Sequence, residues 1–122
     1  MDEIGSWLDA FKRETGTPLA YLRLDMQWSA NWKPQLAALA GLIRRKGVKL
    51  QVIYNGDGRS PSDKTWMASA VRNFQEFESV TKPDAVAIQF WTPHPSRLLP
   101  ETSDTTATWL VNRYAEWRKL HQ

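Results

Sequence analysis

The sequence predicts an α/β fold: a parallel sheet of three strand–helix units preceded by one helix. Three observations predict it. Segments 21–28, 50–55 and 86–91 alternate between apolar and polar residues, and a period of two belongs to strands. The segments between them repeat apolar residues at helical spacing. The strands start near 19, 49 and 85, about 30 to 36 residues apart, the separation that a strand–helix–strand crossover needs.

Each element follows from its residues. Ile4, Trp7, Leu8 and Phe11 share one side of a helix over 3–14, which the run Thr15-Gly16-Thr17-Pro18 stops. The first strand covers about 19–26. The next helix, 33–46, has Pro34 in its first turn, Leu36, Leu39, Ala40 and Ile43 as its apolar stripe, and Gly47 past its end. The second strand covers about 49–54, and the breakers of 55–61 follow it. Ser60 or Ser62 caps a third helix, with Asp63 in its first turn and Trp66, Ala70, Phe74 and Phe77 on one side. The third strand covers about 85–91. A loop carrying Pro93, Pro95 and Pro100 leads to a last helix, 105–120, with Leu110, Tyr114 and Trp117 at helical spacing. Trp7, Trp66, Trp109 and Trp117 lie in helices and are mostly assigned to the core.

With no linker or low-complexity segment, the 122 residues read as one domain, 1–122, with 42% hydrophobic and 24% charged residues as in a folded chain. The absence of cysteine excludes disulfides and thiolate metal sites, and two histidines make no metal cluster. No metal or cofactor is expected. No run of 18 apolar residues occurs, so no membrane span is expected. The start, Met1-Asp2-Glu3-Ile4, carries no apolar signal segment, while secretion as part of a longer chain stays open. The net charge of +3 is dispersed, and its one dense run, Arg44-Arg45-Lys46, ends a helix where cations complement the dipole. Nucleic acid is therefore not an expected partner.

The faces of the sheet carry the functional information. Leu22, Leu24, Met26, Leu50, Val52, Tyr54, Val86, Ile88 and Phe90 fall on one face. Tyr21, Arg23, Asp25, Gln27, Gln51, Ile53, Asn55, Ala87, Gln89 and Trp91 fall on the other. A doubly wound sheet needs apolar residues on both faces. A strand–helix barrel keeps its helices outside and admits polar residues inside, and a closed one takes ~250 residues. The pattern thus predicts a partial (half) TIM barrel. Ligands of such sheets bind at the carboxyl ends of the strands, and all three ends here combine a polar residue of the inner face with an aromatic.

Asp25 is the first candidate there, as an acid, base, nucleophile or sugar-hydroxyl acceptor, against an ion pair with Arg23 or with a neighbouring strand. Glycoside hydrolysis needs two carboxyl groups, and Asp57 and Glu101 are the available seconds. Asp57, within Asn55-Gly56-Asp57-Gly58, also suits a turn, and Glu101 a solvated loop. Trp28, Trp32 and Trp91 offer flat faces for stacking on sugar rings. His94, between two prolines, can donate to a ligand. Arg23, Gln51 and Gln89 suit a self-satisfying polar layer.

Four runs resemble a known family: Val52-Ile53-Tyr54-Asn55-Gly56, Ser62-Asp63-Lys64-Thr65-Trp66, Gln89-Phe90-Trp91-Thr92-Pro93-His94-Pro95 and Leu98-Leu99-Pro100-Glu101-Thr102. Together, over about residues 19–117, they resemble the C-terminal part of bacterial glycoside-hydrolase-like barrel proteins. The resemblance implies a carbohydrate-active barrel whose last three units are present. It matches Trp91 to the aromatic that lines the sugar site near the final strand. Many such barrels end a late strand in a catalytic glutamate. Here the second strand ends in Tyr54-Asn55.

The expected function is therefore a glycoside-hydrolase-like piece acting on or binding a polysaccharide. Asp25 and Glu101 are its catalytic candidates. Trp28, Tyr54, Asn55, Asp57, Gln89, Trp91 and His94 are its substrate-binding candidates. The alternatives are a non-catalytic carbohydrate-binding module, which the missing glutamate favours, and a flavodoxin-like domain binding a small ligand or protein. Open strand edges predict a homo-oligomer or a partner half.

Overall fold

A computed structural model describes residues 2–122. Its elements run α1 (Asp2–Thr15), β1 (Tyr21–Asp25), α2 (Lys33–Arg45), β2 (Lys49–Tyr54), α3 (Asp63–Val80), β3 (Ala85–Ile88) and α4 (Ala107–Leu120). The strands form one sheet in the order β1-β2-β3. β1 lies parallel to β2, with Leu22 opposite Leu50 and Leu24 opposite Val52. β3 keeps the same direction beside β2, since Asp84 N–H donates to the Leu50 carbonyl and Gln89 N–H to the Tyr54 carbonyl. The fold is thus α/β, a helix followed by three βα units on a parallel sheet, as in part of a barrel.

The chain forms two compact units. Unit 1 is Met1–Ile53 with Phe77–Ala87, and unit 2 is Tyr54–Glu76 with Ile88–Gln122.

In unit 1 the alternation of the strands becomes an asymmetry of burial. Leu50 and Val52 are sealed from water, while Tyr21, Arg23 and Asp25 are exposed and Gln51 and Ile53 are half-buried. Leu8 of α1, Trp32, Leu36, Ala40 and Ile43 at and along α2, Val48 and Phe77 are buried with them. Full burial of a side chain such as Ile43 or Leu50 contributes about 1.5–3 kcal/mol. The end of α2 follows from Gly47, whose φ of 75° places it in the left-handed region. There Gly47 N–H reaches the Arg44 carbonyl and Val48 N–H reaches the Ile43 carbonyl, the paired bonds of a Schellman cap. The basic run closing α2 is engaged: Arg44 donates to the Lys82 carbonyl, and Lys46 Nζ lies 2.8 Å from Asp9 Oδ1. At the start of β3, Asp84 pairs with Leu50 twice. Its N–H donates to the Leu50 carbonyl at 2.7 Å, and its Oδ2 accepts the Leu50 N–H at 2.8 Å.

Unit 2 is built on aromatics. Tyr54, Phe74 and Tyr114 meet with centroid distances of 6.0, 5.4 and 5.1 Å, and Trp117 packs on Phe74 at 5.3 Å. Trp66 is buried and contacts Phe90. Gly56 has a steric reason: a Cβ there would meet the Trp66 carbonyl oxygen at 2.4 Å and its ring at 2.7 Å. α3 begins with a reciprocal cap, Ser62 Oγ accepting Thr65 N–H and Thr65 Oγ1 accepting Ser62 N–H. α4 begins at the buried Thr106, whose Oγ1 accepts the Trp109 N–H and lies 2.7 Å from the Pro100 carbonyl oxygen.

Several boundaries and placements differ from the sequence reading, and β1 begins at Tyr21 rather than near 19. β3 ends at Ile88 rather than near 91, because β2 itself ends at Tyr54 and the bond from Gln89 N–H to Tyr54 is the last rung. α4 starts at Ala107, since Thr106 serves as its cap. Trp7 is 55% exposed and stacks on Phe11 along the outside of α1 instead of entering the core.

Candidate functional site

Unit 1 holds Asp25 and Trp28. Asp25 is the last residue of β1 and is exposed. Arg23 does not pair with it: the Arg23 guanidinium donates to Gln51 Oε1 through Nε at 3.1 Å and Nη2 at 3.0 Å, and lies over the Tyr21 ring. Among the described residues Asp25 has no ion pair or side-chain hydrogen bond. It borders a cleft of about 430 Å³ lined by Ile4, Leu24, Met26, Trp32, Gln35, Leu36 and Leu39 as well. Among the described residues, no other aspartate or glutamate joins Asp25 in that lining. Trp28 is half-buried, edge-on to Trp32 at 5.5 Å and to Phe77 at 6.4 Å, so packing occupies much of its ring.

Unit 2 holds the other candidates and sorts them. Tyr54 is 1% exposed within the aromatic core; its ring has no face for a ligand. Asn55 is buried too, and its carbonyl accepts the Asn73 side-chain amide at 3.1 Å. Asp57 takes the turn role: its Oδ1 accepts Arg59 N–H at 2.9 Å, and its own N–H donates to Ser69 Oγ. Its residue stays exposed, as does Arg59. Gln89 is exposed just past β3, and Trp91 is 69% exposed. Glu101 is exposed in the loop before α4.

Two loops of this unit meet. A Cβ on Gly58 would stand 3.4 Å from Thr92 Cγ2, so the 55–61 loop abuts the segment that carries Trp91. That segment is anchored at His94 and Ser96. His94 Nδ1 lies 2.6 Å from Asp63 Oδ1, Ser96 N–H donates to the same oxygen at 2.9 Å, and Ser96 Oγ donates to Oδ2 at 2.6 Å. A carboxylate only accepts, so the His94 ring carries its hydrogen on Nδ1. The Ser96 hydroxyl, then the His94 ring, hold the Asp63 carboxyl below the usual carboxylate range against a smaller opposing effect of burial. His94 is thus tied to α3 through Nδ1, and Nε2 is left for other contacts. Sequence patterns do not single out Asp63 and Ser96 as site residues. The one available signal is Asp63 in the first turn of a helix, and nothing there points 31 residues on to His94.

Among the described residues, no group of three or more His, Cys, Asp or Glu side chains is placed to hold a metal ion. No helix of the described residues is long and apolar enough to cross a membrane. No protein-family model, no curated protein and no solved structure matches this chain.

Proposed function

We propose that this chain is a polysaccharide-binding module whose contact surface is the loop pair of unit 2, with Trp91 as its platform. The observation that carries the reading is the exposure of Trp91, at 69%, on a segment pinned by His94 and Ser96. A large apolar ring held in water gains when a flat apolar partner covers it. A pyranose face offers such a partner, with hydroxyls at its rim. Gln89, Asp57 and Arg59 are exposed polar groups on the same two loops and suit those hydroxyls.

Binding is favoured over hydrolysis by the carboxylates. An acid–base pair needs two carboxyl groups ~5–9.5 Å apart. Among the described residues, Asp25 has no second aspartate or glutamate beside it in the lining of its cleft, and Asp57 spends one oxygen on its own turn.

Affinity electrophoresis tests the proposal, with soluble β-glucan, xylan, mannan and glycol chitin cast in separate gels. At least one polysaccharide is expected to retard the protein. Trp91→Ala is expected to weaken that retardation at least about tenfold, as for a central aromatic anchor, and Trp7→Ala to leave it unchanged. If no polysaccharide retards the native protein, or Trp91→Ala is retarded equally, the reading is wrong.

A further inference from the structure

Asp63 and His94 form more than an anchor. Their contact has the geometry of a general base and the group that orients it. His94 Nδ1–H donates to Asp63 Oδ1 at 2.6 Å, which fixes the tautomer and leaves the Nε2 lone pair as the basic site. Asp63 is itself held in place, by Ser96 N–H on Oδ1 and the Ser96 hydroxyl on Oδ2. These bonds keep its carboxyl below the usual carboxylate range, so it is ionised at neutral pH.

The pair is sheltered but reachable, with side-chain exposures of 29% for His94 and 18% for Asp63. His94 Nε2 has no hydrogen bond among the described residues, and no buried side-chain nitrogen or oxygen among them lacks a partner. Nε2 therefore meets solvent. Two neighbouring hydroxyls are already engaged: Ser96 Oγ donates to Asp63 Oδ2, and Thr92 Oγ1 donates to the His94 carbonyl at 2.8 Å. The nucleophile that Nε2 can activate is thus water rather than either hydroxyl. The loop that abuts Thr92 at Gly58 continues into Arg59, an exposed cation suited to a developing oxyanion. A glycosidic bond needs two carboxyl groups for its cleavage. An acyl ester needs one base and a stabilised oxyanion.

We infer that the loop surface of unit 2 is an esterase site that removes acyl groups from a polysaccharide, with His94 as the general base and Asp63 as its positioning residue. The substrate class rests on the polysaccharide reading of Trp91. Nε2 takes a proton from water as the water oxygen bonds to the acyl carbon and the carbonyl electron pair moves onto its oxygen. That pair then returns, the bond from the acyl carbon to the sugar oxygen breaks, and the sugar oxygen leaves with the proton from Nε2. The products are a carboxylic acid and a free sugar hydroxyl. Asp63 stabilises the imidazolium that exists between the two transfers.

The test measures acetate release from tetra-O-acetyl-xylose, O-acetylated xylan and O-acetylated glucomannan. The native protein is expected to release acetate from at least one of them. His94→Asn retains a donor for Asp63 but has no base, and its kcat is expected to fall at least about 100-fold. Asp63→Asn, assayed below its melting temperature, is expected to lower kcat at least about tenfold with KM unchanged, because the imidazole is no longer held in one tautomer. A residue that merely supported the loop would move KM as well. His121, whose ring faces the Trp117 carbonyl, is the control: His121→Asn is expected to release acetate at the native rate. No release above the buffer blank, a His94→Asn variant as fast as the native protein, or an Asp63→Asn variant with native kcat would overturn the inference. Gel retardation by polysaccharide is read on the same proteins. A native protein that is retarded but releases no acetate overturns the esterase alone. Release from tetra-O-acetyl-xylose without retardation by any polysaccharide supports the ester chemistry and overturns the binding reading alone.

Discussion

Asp63 accepts three hydrogen bonds at once, from His94, from Ser96 N–H and from the Ser96 hydroxyl. Its carboxyl titrates below the usual carboxylate range for that reason, Ser96 being the larger cause and His94 the next. The linkage has a definite sign. The unfolded chain takes up the proton first as pH falls, so the stabilisation is complete above the usual range and is lost as pH drops through the lower folded-state value. Asp63→Asn is therefore expected to melt below the native protein at pH 7, with the two melting temperatures converging toward pH 2. A gap that stays constant across thermal melts from pH 7 to pH 2 would refute this. The same cluster marks the limit of what local pattern conveys. His94 is legible in the sequence as a histidine able to meet a ligand, but its partner lies across a tertiary contact that no local pattern encodes. Asp57 is the opposite case. Its turn chemistry is local, within Asn55-Gly56-Asp57-Gly58, and the Asx bond to Arg59 N–H is the one such a run favours.

At the scale of elements, most of the fold is legible in the sequence because period and punctuation agree. α2 is the clearest case: Pro34 in its first turn, an apolar stripe that becomes the buried Leu36, Ala40 and Ile43, and Gly47 just beyond its end. The cap makes a quantitative claim. An L-residue at a φ of 75° costs about 1–2 kcal/mol, so Gly47→Ala is expected to lower the urea midpoint by about 1 kcal/mol of stability, with an unchanged slope. A variant as stable as the native protein would show that the cap contributes nothing. The end of β3 and the start of α4 are less legible. The last rung of β3 depends on where β2 stops, and the first turn of α4 depends on Thr106 finding the Pro100 carbonyl. Trp7 misleads for a different reason: it shares the apolar side of α1 with Leu8, but only Leu8 is turned far enough inward to be buried.

At the scale of the whole molecule, the sheet ends at β1 on one side and β3 on the other, and each outer strand presents unpaired backbone groups to solvent. Self-association is the expected consequence. Light scattering after size exclusion should give a mass above the 14.1 kDa of one chain, rising with loading concentration; a constant 14.1 kDa at every loading would exclude it. The contrast between the two sides of the sheet is written in the alternation of the strands, which is why the fold class is legible from the order of residues alone. That contrast holds for only one alignment of neighbouring strands. If β3 slid by one residue along β2, Val86 and Ile88 would face water and Ala87 and Gln89 would face the helices. Asp84 blocks that error. By taking the Leu50 N–H with its side chain and the Leu50 carbonyl with its backbone, it grips one residue of β2 from both ends. An exposed carboxylate that belongs to neither candidate site thereby discriminates the native fold from its nearest misaligned competitor.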